Sequence, residues 1–293
     1  MKPLFIFNFH RISDEFSPAY PPIPVKVFEK IIKFLKNNFT IIDERELTEV
    51  VKENNKKIPL IITFDDGFYD FKENALPILE KYNIPVTQHI VTKCAETGES
   101  FWTQKLNKTI ETYFSNNQTI EIQGFVVYKH IGSASTKEIE KIALNLYLRL
   151  LKNPAKEQII ENLLANSKTK VQETKILSWD DINLLPKDLV SIGSHTHSHI
   201  NLAELSENEI YSELLQSFNL IYEKTGIKPA SIAFPNGQYN EKVVEISKQI
   251  GYKIGYTVNC KKNFNFDFLL HRYDLYSTNY WKNGLKIMMY KYK

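Results

Sequence analysis

Leu60-Ile61-Ile62-Thr63-Phe64-Asp65-Asp66-Gly67 constrains this chain more than any other stretch. Mostly apolar, β-prone residues run straight into two adjacent carboxylates and a glycine. An apolar run without polar alternation reads as a strand buried on both faces, the pattern of parallel sheets. Gly67 permits a sharp exit turn. Asp65 and Asp66 are therefore expected at the carboxyl end of a core strand, where α/β folds place their chemistry. Successive strand residues point to opposite faces, so the two carboxylates can take different roles. Taken alone, Asp-Asp-Gly is equally at home in a plain turn.

A second strand candidate, Leu189-Val190-Ser191-Ile192-Gly193, empties into Ser194-His195-Thr196-His197-Ser198-His199. Three of the seven histidines thus fall within five residues. Imidazole combined with carboxylate suits zinc or a similar divalent ion. His195 and His199, four apart, converge if the loop winds into a helical turn. One carboxylate and two imidazoles leave an open coordination position, the mark of a catalytic rather than a closed structural site. Asp66, His195 and His199 are the candidate ligands, and His197 is expected to point elsewhere.

On these residues the chain resembles the NodB-like polysaccharide deacetylases, carbohydrate esterase family 4. Thr63-Phe64-Asp65-Asp66-Gly67 with His195-Thr196-His197-Ser198-His199 is similar to the family's paired signature. Phe7-Asn8-Phe9-His10-Arg11-Ile12 resembles its opening strand, and Ser178-Trp179-Asp180-Asp181 its Trp-containing segment. Ala233-Phe234-Pro235-Asn236-Gly237 with Tyr239 resembles its Pro-aromatic-Gly loop, and Gly251-Tyr252 through Thr257-Val258, with Leu270-His271-Arg272, its last strands. The likeness covers residues 4–92 and 177–276.

The resemblance implies an α/β fold, a distorted TIM-like (β/α)7 barrel, and a metal-dependent hydrolase that removes N-acetyl groups from an N-acetylated sugar or polysaccharide. It implies a divalent metal, zinc foremost, with cobalt, nickel, manganese or iron as alternatives. Asp65 becomes the general base, and the N–H of Asn236 after Pro235 the oxyanion donor. Tyr239 and Trp179 join the substrate-binding side, although Trp179 reads equally as a helix anchor. For the general acid the resemblance offers His10 or His271 and favours His10. One departure stands out: many members carry an arginine two residues before the motif proline, where this chain has Ala233. Arg272 or Arg11 are the candidates to replace it in space. His89, where relatives often have Phe, reads as a buried histidine and not a ligand. The competing functions are hydrolysis of another linear or cyclic amide on the same fold, and non-catalytic sugar binding.

Length, at 293 residues, allows one large barrel or two domains. Strand and helix alternate up to residue 92, as parallel strands with right-handed crossovers require. The expected helices are Val25 to Asn38, Glu44 to Asn54 and Phe68 to Tyr82, the last bent at Pro77. Residues 93–176 break the rhythm and read as a mainly helical insertion within a single domain. Trp102, near its start, reads as packing rather than a sugar platform. Further on, Ser206-Glu207-Asn208-Glu209 is a capping box that opens a helix stopped by Gly226.

A net charge of +3 does not argue for nucleic acid. Cys94 and Cys260 are too few for a disulfide framework. No stretch approaches the roughly 20 apolar residues of a membrane helix, and the opening segment does not read as a signal peptide. A cytoplasmic protein is the expectation. Trp281 to Lys293 mixes Lys with Ile, Met and Tyr. It reads first as a last amphipathic helix on the barrel, and second as a peripheral contact with an anionic membrane surface, at the inner face.

Overall fold

Leu60–Phe64 do lie in a core strand, Ile58–Phe64, buried from its second residue onward, and Asp65-Asp66-Gly67 follow its carboxyl end. A computed structural model describes residues 3–47, 57–122, 125–128, 135–150, 155–264 and 267–292. In chain order its strands are β1 (Phe5–Phe9), β2 (Phe39–Ile41), β3 (Ile58–Phe64), β4 (Val86–Ile90), β5 (Ile120–Ile122), β6 (Phe125–Tyr128), β7 (Val190–Ser194), β8 (Ser231–Ala233), β9 (Ile254–Val258) and β10 (Leu269–Asp274). Strands β5 and β6 form an antiparallel pair of their own.

The remaining strands pair in parallel in the order β1-β10-β9-β8-β7-β4-β3. The ring closes because β1 also pairs with β3, from Phe5↔Leu60 to Phe9↔Phe64. The result is the expected closed barrel of 7 parallel strands. Its distortion has a visible source. One edge of β3 is shared: β2 pairs with its first half, Phe39↔Ile58 to Ile41↔Leu60, and β4 with its end, Thr63↔Thr87 and Phe64↔Gln88.

Strand alternation sorts the side chains. Phe5, Phe7, Phe9, Leu60, Ile62 and Phe64 join an apolar cluster with Phe28, Ile31, Ile32 and Leu35 of helix α1 (Val25–Asn38). Ile6, Ile61, Leu270 and Tyr256 form a separate cluster. The residues that follow at a spacing of two, Asn8, Thr63 and Arg272, are polar, buried and mutually hydrogen-bonded. The barrel interior is thus apolar at one level and polar toward the carboxyl ends of its strands.

Helix α1 ends where its periodicity does. The helix Glu207–Thr225 has the expected capping box at Ser206 and stops at Gly226, whose φ is 73°. The segment from Phe68 differs from the expected continuous helix. Phe71–Ala75 is wound as a wider π-type turn, and regular helix spans only Leu76–Tyr82. Pro77 then sits in the first turn of the regular part, where its missing N–H is tolerated. Of the helix expected from Glu44 to Asn54, a 3₁₀ turn at Glu44–Glu46 is observed; its part from residue 48 on lies outside the described residues. The tail helix, Tyr280–Tyr292, buries Ile287 and lays Tyr290 on Tyr273, with ring centroids 4.0 Å apart. Among the described residues no helix is long and apolar enough to cross a membrane.

By packing, the chain divides into two compact units. The barrel unit comprises Met1–Ser13, Ile23–Gly98 and Ile176–Lys293; the other comprises Asp14–Pro22 and Glu99–Lys175. The second unit holds the helices Trp102–Ser115, Thr136–Leu150 and Lys156–Ala165 around Leu106, Ile110, Leu146 and Ile160. Trp102 is buried there and stacks on Tyr147 at 5.6 Å, so it serves packing.

Gly193 of β7 lies where the barrel leaves no room for a side chain. A Cβ there would lie 2.3 Å from His89 Cδ2 and 2.7 Å from Ser231 Oγ. Gly193→Ala is therefore expected to lower stability by about 1–3 kcal/mol through overpacking. Urea unfolding checks this, and an unchanged midpoint would contradict it.

Candidate active site

The backbone N–H of Asp65 donates to Phe9 O at 3.0 Å, which aligns the ends of β1 and β3. The chain then turns sharply through two left-handed residues, Asp66 at φ 76° and Gly67 at φ 71°. For a residue with a side chain such a φ costs energy, and strain of this kind gathers at functional sites. Thr196, His199 and Asn236 are left-handed as well, at φ 67°, 55° and 56°.

His195 follows β7 directly, its N–H donating to Ile90 O at 2.8 Å. The loop beyond it does not wind into the helical turn by which the two imidazoles were expected to converge. The left-handed Thr196 and His199 reverse the chain instead. The Ser194 and Thr196 hydroxyls accept from the N–H groups of Thr196 and His199, and the Thr196 and His197 carbonyls from those of Thr92 and Lys93. Buried Glu213, on the helix Glu207–Thr225, accepts from the Ser198 N–H and hydroxyl. His197 faces away, with Nδ1 3.0 Å from Thr92 Oγ1.

Asp66 Oδ1 lies 3.3 Å from His195 Nε2 and 3.4 Å from His199 Nε2. All three side chains are buried, with one donor atom from each within 4.8 Å of the others. Two donors each about 2.0–2.1 Å from a tetrahedral zinc ion stand roughly 3.3 Å apart. Among the described residues, buried Asp66 Oδ1 has no hydrogen bond of good geometry, only the approach of the two imidazole nitrogens. The His195 ring is already oriented: Nδ1 is 2.7 Å from the Ala233 carbonyl, so the proton sits on Nδ1 and Nε2 offers its lone pair. The residues fit a divalent cation.

Asp65 is held differently. Burial alone would raise its carboxyl, but the Arg272 guanidinium, with His195 and His89, outweighs burial and holds it well below the usual range. Arg272 Nη1 and Nη2 donate to Asp65 Oδ1 and Oδ2 at 2.8 and 2.7 Å, and Asn8 Nδ2 donates to Oδ2 at 3.0 Å. Arg272 thus occupies the role left open by Ala233. Arg11 pairs with Asp70 instead, at 2.9 Å. Asp66 is likewise lowered: burial raises it, and His195, His199 and His10 together overcome that.

His10 follows β1 and counts among the groups that electrostatically stabilise the Asp66 carboxylate. His271 is not brought to this cluster. It alternates with Arg272 along β10, so its side chain leaves the opposite face of the strand, and its charged neighbour is Lys261. Pro235–Gly237 forms a tight turn after β8, beside β7 in the sheet, with Pro235 buried and Asn236 exposed. Tyr239 stacks on Phe234 at 5.8 Å. Trp179 donates its indole N–H to Glu96 at 2.6 Å and packs in the apolar layer outside the barrel. The sequence reading did not single out Asn8; its signal was a lone carboxamide in an otherwise apolar strand.

Removing Arg272 would leave a buried carboxylate without its cation. Arg272→Ala is expected to destabilise the fold by about 3–5 kcal/mol, and adding Asp65→Asn should restore part of that. Urea unfolding of the two variants checks both; a loss below about 1 kcal/mol for Arg272→Ala would contradict the pairing.

A family model described as polysaccharide deacetylase matches residues 52–255. YxkH of Bacillus subtilis (strain 168), named as a polysaccharide deacetylase, is 22% identical over 255 residues, 86% of this chain. The chain spans 63% of that relative's length. Among solved structures, the Streptococcus pyogenes deacetylase PplD in complex with acetate aligns with a TM-score of 0.64 at 18% identity, covering 98% of both chains. IcaB from Ammonifex degensii aligns at 0.61 and 13% identity over 99% of this chain and 98% of that one. At such identities the structures speak for the fold, whereas the family match spans well over half of the chain: this protein belongs to the polysaccharide deacetylase family.

Proposed function

We propose that this chain is a metal-dependent deacetylase that hydrolyses the N-acetyl amide of an N-acetylated sugar or glycan. The observation that carries the reading is the spacing of Asp66 Oδ1, His195 Nε2 and His199 Nε2, with Asp65 next in sequence and locked by Arg272. Asp66, His195 and His199 would hold the cation. Their donor set favours zinc, with cobalt, nickel, manganese or iron as alternatives. Bound there, such an ion supplies a Lewis acid for the amide carbonyl and lowers the pKa of water toward about 7.

The chain's own groups do the rest. Asp65, ionised by its partners, accepts the proton of the attacking water. The Asn236 N–H, at the turn after Pro235, donates to the oxyanion that forms on the carbonyl oxygen. His10 donates the proton that turns the departing amine into a leaving group. Tyr239 belongs to the same loop and lines the substrate side.

The test is metal analysis of the purified protein, followed by acetate release from N-acetylglucosamine oligomers with and without chelator. Release that stops on chelation and returns with added zinc is expected. His10→Ala should lower kcat by about 10²–10⁴-fold while His271→Ala leaves it near wild type. Bound metal without release from any acylated sugar would point to another amide substrate, and absence of metal to sugar binding alone.

A second reading concerns where the enzyme works, and the tail helix favours it. Trp281, Leu285, Met288 and Met289 are exposed and recur at helical spacing on one side of Tyr280–Tyr292. Lys282 and Lys286 fall on one flank of this stripe and Lys291 on the other, and the helix carries no acidic residue. That charge pattern suits an anionic lipid surface, contacted peripherally at the inner face by a cytoplasmic enzyme. Co-sedimentation with vesicles containing phosphatidylserine, but not with pure phosphatidylcholine vesicles, is expected, and Trp281→Ser with Leu285→Ser should abolish it. Equal recovery from both vesicle types, or a concentration-dependent dimer that buries Trp281, would overturn the reading.

A further inference from the structure

A line of buried polar side chains leads away from Asp65 through the barrel, and the proposed reaction leaves it unused. His89, fully buried on β4, sets Nδ1 3.2 Å from Asp65 Oδ1. On its far side Nε2 lies 3.0 Å from the hydroxyl of Ser231 on β8. Ser231 Oγ is in turn 2.9 Å from Glu44 Oε1, and the Tyr256 hydroxyl donates to Glu44 Oε2 at 3.0 Å. Glu44 is only 4% exposed and, among the described residues, has no basic group at ion-pairing distance. Its polar surroundings are Ser231, Tyr256 and Thr87, and the charged group that acts on it is Asp43, itself paired with Arg45. The line is built in: β7 carries Gly193 where any Cβ would collide with both His89 and Ser231.

The hydrogens on this line can run in two ways. With Glu44 ionised, it accepts from Ser231, and Ser231 must accept from His89 Nε2–H. Nδ1, which faces the Asp65 carboxylate, then needs a proton too, so the ring becomes a buried cation. With Glu44 protonated, it donates to Ser231, Ser231 donates to His89 Nε2, and a neutral ring keeps its proton on Nδ1, aimed at Asp65. Only the second arrangement satisfies every contact without adding buried charge, which a low-dielectric interior disfavours. Burial, eased in part by the Ser231 and Tyr256 hydrogen bonds, pushes Glu44 up to about 7, and burial brings His89 down to about 4. Both directions agree with a proton resting on Glu44.

We propose that Glu44 is a positioning residue for the base: through Ser231 it fixes His89 as the Nδ1–H tautomer, which then donates to Asp65. Arg272 donates to both oxygens of Asp65 and Asn8 to Oδ2, while His89 Nδ1 stands 3.2 Å from Oδ1. Groups from β1, β10 and β4, which lie on both sides of β3, thus converge on the carboxylate and restrict its orientation. The inference rests on the reading of Asp65 as base, yet its central statement concerns the His89 ring and can be read without substrate.

The experiment is ¹⁵N NMR of histidine-labelled protein, with His89 assigned from the His89→Phe variant, alongside steady-state kinetics of acetate release. Wild type and Glu44→Gln should both show His89 protonated on Nδ1, because a glutamine amide still donates to Ser231 while its oxygen accepts from Tyr256. Ser231→Ala and Glu44→Leu should release the Nε2 side of the ring from its fixed partner and lower kcat by about 10- to 100-fold, with KM within about threefold. Glu44→Gln, as the conservative rescue, also controls for folding. An Nε2–H ring in the wild type, or an unchanged kcat in Ser231→Ala, would overturn the proposal; so would a Glu44→Gln variant as impaired as Glu44→Leu. An Nδ1–H ring in a protein that deacetylates nothing would support the network and refute only the deacetylase reading.

Discussion

A carboxylate sealed inside a barrel must find its counter-charge within the barrel, and Asp65 finds it in Arg272. The pair is possible only because β1 lies between β3 and β10 in the closed ring. Registers Asn8↔Thr63 and Asn8↔Asp274 put the three strand ends level. Asn8 then bridges them, donating to Asp65 and Asp274 and accepting from Thr63 and Arg272. A slip of one residue in β1 or β3 would turn its polar residues out against the helices and bring Phe7, Phe9 or Phe64 in, and a slip in β10 would replace Arg272 with His271 or Tyr273. Closing the ring and positioning Asp65 are therefore one event.

The neighbouring carboxylate is governed by loops. Asp66 leaves the strand in a left-handed conformation and so turns away from the direction of Asp65. His195 is fixed by a strand-end hydrogen bond and by the Ala233 carbonyl, His199 by a left-handed backbone that Thr196 and Glu213 help to hold. Adjacent carboxylates thus acquire separate partners: one a guanidinium, the other a pair of imidazoles. Burial, which by itself disfavours both charges, makes each partner more effective.

Local pattern made much of this legible. Apolar continuity marked β3, periodicity fixed the Val25–Asn38 helix to the residue, and the density of histidines after β7 marked the metal-type cluster. The rest depended on what lies beside what. Arg272 and Arg11 were equal candidates on paper; strand order separates them, because β10 neighbours β1 while Arg11 is taken by Asp70. His271 and Arg272 are adjacent in sequence and opposite in space, a difference that follows from alternation once the inward residue is known. The route by which His195 and His199 meet was not legible either, since Thr196 is not a residue whose composition announces a left-handed turn. Glu44 was hidden for a similar reason: a charged residue near a helix start reads as solvent-facing until the fold buries it.

The displacement of the arginine carries a consequence for how such a site tolerates change. At residue 233 the family pattern often has an arginine, yet here the position contributes through its carbonyl, which orients His195. A backbone acceptor does not depend on the side chain, so Ala233 can give up the cation without disturbing the imidazole. The cation is supplied instead from β10, two strands away from β8 in the ring and next to β1. From there it reaches Asp65 across the interior, passing over the Tyr256 ring at 5.5 Å, and Tyr256 also donates to Glu44. Arg272 and Tyr256 thus bring Asp65 and Glu44 into one buried interior, and His89, 3.2 Å from Asp65 and 3.0 Å from Ser231 Oγ, stands between the two carboxyls.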